Sequence, residues 1–146
     1  WSSDVCSSDL ALNKESGLVG VRGLSNDMRD LLNYRDQGEK SAELAIEMFV
    51  YRLVKYIGAY YAILPSVDAV VLTGGIGENS LPVRNMLCQQ LQSLGAIPDE
   101  ERNLSTVRGK TGPITANGSR LAVWVIPTNE ELMIARDTRR IVAEGM

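Results

Sequence analysis

Apolar and polar positions follow two different periods along this chain. From Ser41 to Leu64, the residues Ile46, Phe49, Val50, Leu53, Ile57, Tyr60, Tyr61 and Leu64 recur at steps of three and four. Glu43, Glu47, Arg52 and Lys55 fill much of the remainder. That spacing predicts a long amphipathic helix of about six turns, closed by Pro65. Its tyrosine-rich far end suits either a core or a subunit contact. The pattern then changes. DAVVLT (68–73) and LAVWVIP (121–127) are short β-branched runs that predict buried parallel strands. Each is followed by a helical pattern. After the first, Asn79 or Ser80 can cap a helix with Pro82 in its first turn, an apolar face of Val83, Met86, Leu87, Leu91 and Leu94, and a stop at Gly95. After the second comes TNEELMIARDTRRIVAEG. Strand, turn and helix in that order, twice, predict an α/β fold with a partly parallel sheet.

The remaining segments are less regular. ALNKESGLVGVRGLS (11–25) has Gly17, Gly20 and Gly23 at three-residue spacing, which favours turns or short strands over a helix interior. Ser25 is placed to cap a short helix reaching about Tyr34, with Asp27 in its first turn. Residues 97–119 read as loop, with short strands around Val107 and Ile114. The first ten residues, WSSDVCSSDL, are polar and repetitive and look like a translated sequencing-library adapter. They are expected to be a non-native tail on a single domain spanning 11–146, with a natural disordered tail as the alternative.

Composition narrows the chemistry. At 146 residues and net charge −3, the chain can bury one ordinary core. It has no basic block of the kind that tracks a nucleic-acid backbone. Glu47, Arg52 and Lys55 interrupt the longest apolar stretch, which falls short of the roughly 18 to 20 uncharged residues of a membrane span. Cys6 and Cys88 are too few and too far apart for a disulfide framework, which fits a cytoplasmic protein. Histidine is absent, so acid–base work falls to carboxylates, with arginines, backbone amides and bound metal beside them.

Three stretches carry candidate chemistry. In VVLTGGIGENSLP (70–82), Gly74, Gly75 and Gly77 follow a strand at its carboxyl end, where ligands gather in parallel α/β sheets. Glycines there admit positive φ and close approach of a nucleotide, and the free amides beyond them favour anions. An ordinary strand-to-helix turn explains the same composition, because neither a full dinucleotide fingerprint nor a Walker loop is present. In SNDMRD (25–30), Asp27 and Arg29 suit a ribose or a purine face, or are simply solvated charge. In IPTNEEL (126–132), Thr128 and Glu131 have capping-box spacing. That leaves Glu130 for magnesium or for the helix dipole.

LNKESGLVGVRGLSNDMRD, AIEMFVYRLVKYIGAY, DAVVLTGGIGENS and VIPTNEELMIARDT, taken together and in this order, resemble the carboxy-terminal half of the acetate and propionate kinase family. The resemblance runs from Ala11 to the end and implies an actin-like ATPase (ribonuclease H-like) fold, of which this chain is most of the second half. It implies ATP and Mg²⁺ as cofactors and reversible phosphoryl transfer to acetate, giving acetyl phosphate and ADP. It also implies a homodimer formed through this half. Residue by residue, Asp27, Met28 and Arg29 match the segment beside the adenosine. Gly75, Ile76, Gly77, Glu78 and Asn79 match the second nucleotide loop, and Glu130 matches the magnesium-associated glutamate. The family's catalytic histidines, clamping arginines, catalytic aspartate, metal-associated asparagine and glycine-rich phosphate segment have no match here. They are expected upstream of Ala11, so the chain alone is expected to be inactive. Propionate or butyrate as acceptor, and ATP binding without catalysis, are the alternatives.

Overall fold

A computed structural model describes residues 16–23 and 25–144. The proposed tail, including Cys6, lies outside the described residues. The elements in chain order are α1 (Gly17–Arg22), α2 (Met28–Asp36), α3 (Lys40–Ile63), β1 (Ala69–Leu72), α4 (Gly74–Asn79), α5 (Leu81–Gln90), a 3₁₀ turn (Leu91–Leu94), α6 (Glu100–Ser105), β2 (Gly112–Pro113), β3 (Ala122–Val125) and α7 (Glu130–Glu144). They fall into two compact units. The first holds the described residues up to Val67 with Gln89–Leu91, and the second holds Asp68–Cys88 with the described residues from Gln92 onward.

The first unit is helical. Met28 and Leu31 of α2 are buried, as are Ala42, Ala45, Ile46 and Val50 of α3. The three- and four-residue steps in α3 thus correspond to a real apolar face, but only over its first half. Toward its end Tyr51, Tyr56, Tyr60 and Ile63 are exposed, Ile63 by 77%. The segment around Gly17, Gly20 and Gly23 departs from expectation, since it forms the short helix α1 instead of a turn or strand. Two of its three glycines stand at the helix ends. Gly23, with φ +85°, forms the left-handed C-cap, so only Gly20 burdens the interior.

The second unit is built on a three-stranded mixed sheet in the order β1-β3-β2, with helices around it. β1 runs parallel to β3, with Ala69 opposite Ala122 and Leu72 opposite Val125, while Gly112–Pro113 pairs antiparallel to β3. This is the α/β class that the repeated strand-turn-helix order predicts. Val123 and Val125 point into a core completed by Val83, Leu87, Ile114 and Leu121. The expectation of two fully buried strands holds for neither. Val71 is 51% exposed and Trp124 36%, because β1 is an edge strand and one face of the sheet is open among the described residues. Val107 is not in a strand, whereas Ile114 directly follows β2. No helix among the described residues is long and apolar enough to cross a membrane.

Candidate functional site

The chain leaves β1 at Leu72 and enters α4 at once, so GGIGEN is itself one short helix and not an open loop. Three glycines serve three purposes there. Gly74 has φ +72°, a left-handed conformation that lets the strand turn sharply into the helix. At Gly77 a Cβ would lie 3.2 Å from the carbonyl carbon of Leu72, so its missing side chain lets α4 fold back onto the strand end. Gly75 is exposed, and a Cβ there would meet nothing within 4 Å. Of the three, only Gly75 lacks a reason within the described fold.

Side chains fasten this turn from both sides. The Glu78 carboxylate oxygen Oε1 accepts from the Gly74 amide at 2.9 Å, from the Thr128 amide at 2.9 Å and from the Thr128 hydroxyl at 3.2 Å. One oxygen thereby joins the GGIGEN turn to the PTNEE segment fifty residues later. The hydrogen bond from the Thr128 amide is the largest cause of a lowered Glu78 pKa, with the Gly74 amide and the Thr128 hydroxyl adding to it against partial desolvation. The Gly74 amide is therefore occupied. Asn79 is exposed, and its Nδ2 donates to Gly75 O at 3.2 Å, while Ile76 is half-buried.

The far end of α4 rests on Arg84 of α5, which is 0% exposed. Its Nη1 donates to Glu78 O at 3.1 Å and to Thr106 O at 2.7 Å, and its Nη2 donates to Asn103 O at 2.7 Å. Asn103 Nδ2 returns a bond to Leu81 O at 3.1 Å. Burial pushes the Arg84 pKa down and the Cys88 thiol up to about 11.

Glu130 is the first residue of α7 and follows β3 at its carboxyl end, as expected. The predicted capping box does not form. The cap is Asn129, whose Oδ1 accepts from the Leu132 amide at 3.0 Å, because the Thr128 hydroxyl is turned to Glu78. Among the described residues no group of three acidic, cysteine or histidine side chains could hold a metal.

Asp27, Met28 and Arg29 stand in the first unit. Asp27, not Ser25, is the N-cap of α2, accepting from the Arg29 amide at 2.8 Å, and Ser25 Oγ instead accepts from the Asp27 amide and donates to Asp30. The Arg29 guanidinium closes on the same carboxylate, with Nη2 at 2.6 Å from Oδ2. The Arg29 side-chain bond, then its amide, holds the Asp27 pKa down to about 2. Arg29 is 88% exposed, whereas Met28 is buried in the packing of α2. Asp27 and Arg29 thus face solvent as a preassembled polar pair.

Arg84 escapes a motif reading altogether, and Thr128, read as a helix cap, serves Glu78 instead. For Arg84 a signal exists in the sequence. Val83, Leu87, Cys88 and Leu91 form the buried stripe of this helical segment, and Arg84 occupies the same stripe, where a solvated arginine does not belong.

Comparison with known proteins places this geometry in context. Residues 3–136 match the model of the Acetokinase family. The acetate kinase of Dictyoglomus turgidum is 50% identical over 136 residues, 93% of this chain and 33% of that protein. The crystal structure of Porphyromonas gingivalis acetate kinase superposes with a TM-score of 0.85 at 38% identity, covering 96% of this chain and 35% of that one. A propionate kinase from Francisella tularensis superposes at 0.80 with 40% identity, covering 92% and 33%. The chain spans about a third of the length of the curated relatives it matches.

Proposed function

We propose, because this chain belongs to the acetokinase family, that the intact protein transfers the γ-phosphoryl of ATP to the carboxylate of acetate, reversibly, giving acetyl phosphate and ADP. The single observation that carries this reading is the 50% identity to an acetate kinase across 93% of the chain. The geometry agrees with it. Gly75 lies bare at the carboxyl end of a parallel strand, where a nucleotide can rest against the backbone. Ile76 and Asn79 flank it, Gly77 and Glu78 hold the turn in shape, and Asp27 with Arg29 offers a carboxylate and a planar cation for the nucleoside, Met28 supporting them from the core.

Phosphoryl transfer asks the protein mainly for in-line positioning and neutralisation of charge. When bound, Mg²⁺ supplies neutralisation at the phosphate oxygens, and Glu130 is the residue of this chain that would help hold it. No histidine and no arginine clamp for the transferred group is assigned to this chain. Removing even one such electrostatic group costs on the order of 10²- to 10³-fold in rate. The 146-residue chain alone is therefore expected to give no acetyl phosphate above background with ATP, Mg²⁺ and acetate, while the full-length protein does. Full-length protein inert toward acetate and propionate alike, yet binding ATP, would favour a non-catalytic nucleotide-binding role.

The likeness to a propionate kinase favours one second reading, a longer acceptor such as propionate. Turnover of the full-length protein on acetate, propionate and butyrate, compared at equal concentration, ranks the acceptors. Exposed Tyr51, Tyr56 and Tyr60 of α3, with Met48, Arg52 and Lys55 on the same surface, support a homodimer formed through the first unit. Sedimentation of the full-length protein showing only monomer at tens of micromolar would end that part of the proposal.

A further inference from the structure

We propose that Arg84 is a positioning residue for the nucleotide turn: its buried guanidinium ties the end of α4 to the end of α6 and so fixes where Gly75 to Asn79 stand. This rests on the reading of that turn as the nucleotide site. Arg84 has no acidic partner among the described residues and is nevertheless fully buried, an arrangement that is costly for a cation unless fixed dipoles replace its water. Those dipoles are carbonyls. Asn103 O belongs to the last turn of α6, Thr106 is its C-cap residue, and Glu78 O lies one residue before the end of α4. Helix carboxyl ends carry unpaired carbonyls and partial negative charge, so one guanidinium answers two such ends at once.

The geometry is specific to arginine. Two nitrogens on a planar fork reach three carbonyls in two directions, which a single ammonium cannot reproduce. The knot is also incompletely satisfied. Ser80 Oγ, Arg84 Nε and Asn103 Oδ1 are buried without a hydrogen-bond partner among the described residues. A group kept under that cost, next to a turn whose other end is held by Glu78, serves the placement of the turn more than the packing of the core.

The experiment uses the full-length protein with ATP, Mg²⁺ and acetate, comparing Arg84→Lys and Gly75→Val with the parent at equal folded fraction by circular dichroism. For Arg84→Lys the expected result is a KM for ATP raised about tenfold, a KM for acetate within about twofold of the parent, and faster amide hydrogen exchange confined to residues 74–80. A purely structural arginine would lower the active fraction and leave the ATP KM alone. If Gly75→Val raises the ATP KM and Arg84→Lys does not, the inference falls and the nucleotide reading stands. Should neither variant change the ATP KM, both fall. Where Arg84→Lys does not fold, Asn103→Ala decides: it removes the bond to Leu81 O and loosens the α6 carbonyls around the guanidinium. An ATP KM raised at least twofold supports the inference, and an unchanged value overturns it.

Discussion

The two stretches that carry candidate nucleotide contacts are held in opposite ways. The GGIGEN turn is fastened by partners far along the chain: Glu78 reaches Thr128, and Arg84 brings Glu78 O to Asn103 and Thr106. The polar side chains of SNDMRD bond within the segment, through Ser25, Asp27, Arg29 and Asp30 within six residues, while Met28 alone of the segment is buried. In the first, the charged side chains are spent on placing the backbone, and what remains open is Gly75 and Asn79. In the second, the charged side chains are themselves the exposed feature. The candidate contact is backbone in the one and side chains in the other, and mutations in the two should separate stability from binding in different proportions.

The largest effect on that contrast is expected at Glu78. Glu78→Ala removes one acceptor from three donors and leaves the Gly74 and Thr128 amides without it, a loss of about 2 kcal/mol in urea unfolding. Nucleotide affinity should fall with it, because the turn is no longer pinned. The pH dependence follows from the lowered pKa. A carboxylate whose folded pKa lies below its unfolded value stabilises fully above the unfolded value, about 4.3, and loses that contribution as pH falls through the folded one. Parent and Glu78→Gln should therefore differ in stability at pH 7 and converge below about pH 4. Curves that stay parallel down to acid would show that the carboxylate charge is not what holds the two segments.

A smaller effect is expected at Asn129. Its side chain caps α7, and Asn129→Ala should cost about 1 kcal/mol, detectable as a lower urea midpoint and faster hydrogen exchange at Leu132. Thr128→Val, which keeps the amide but deletes the hydroxyl bond, should cost less than Glu78→Ala. If Thr128→Val alone frays the start of α7, the helix is capped through Thr128 after all and the division of labour between Thr128 and Asn129 is wrong.

How much of this was legible in the sequence depends on whether the cause was local. The face of α3 is visible because Ala42, Ala45, Ile46 and Val50 are buried at helical spacing, and Pro65 marks its end, directly after the C-cap Leu64. The positions of β1, β3 and the glycine turn follow from β-branched runs and turn chemistry, which act over a few residues. Burial of β1 did not follow, since it depends on which strands lie beside it, and Val71 stands at an edge. Nor did the roles of Glu78 and Thr128, whose meeting is set by the parallel pairing of β1 with β3 and by nothing within either motif. Arg84 was hidden by the assumption that arginine is solvated, although its place in an apolar stripe pointed inward. The candidate residues could be named by resemblance, but which of them hold the turn and which face outward required the fold.

The smallest effect on stability is expected at Asp27, and it is the most discriminating. Asn caps helices as well as Asp does, and an ion pair standing in water adds little, so Asp27→Asn should leave the thermal midpoint where it was. Its carboxyl should titrate near pH 2 by NMR in the parent and move up toward the usual carboxylate range in Arg29→Ala, because the Arg29 side chain is the leading cause of the depression. The sign is that of a depressed acid: the pair is complete at neutral pH and dissolves only as pH falls toward about 2. If Asp27 and Arg29 meet the nucleotide as a preassembled pair, Asp27→Asn in the full-length protein weakens ATP binding with no change in unfolding, the reverse of what a placement residue such as Glu78 does. An Asp27→Asn variant that binds ATP like the parent would reduce SNDMRD to a helix cap with a solvated arginine and leave the turn after β1 as the remaining candidate contact.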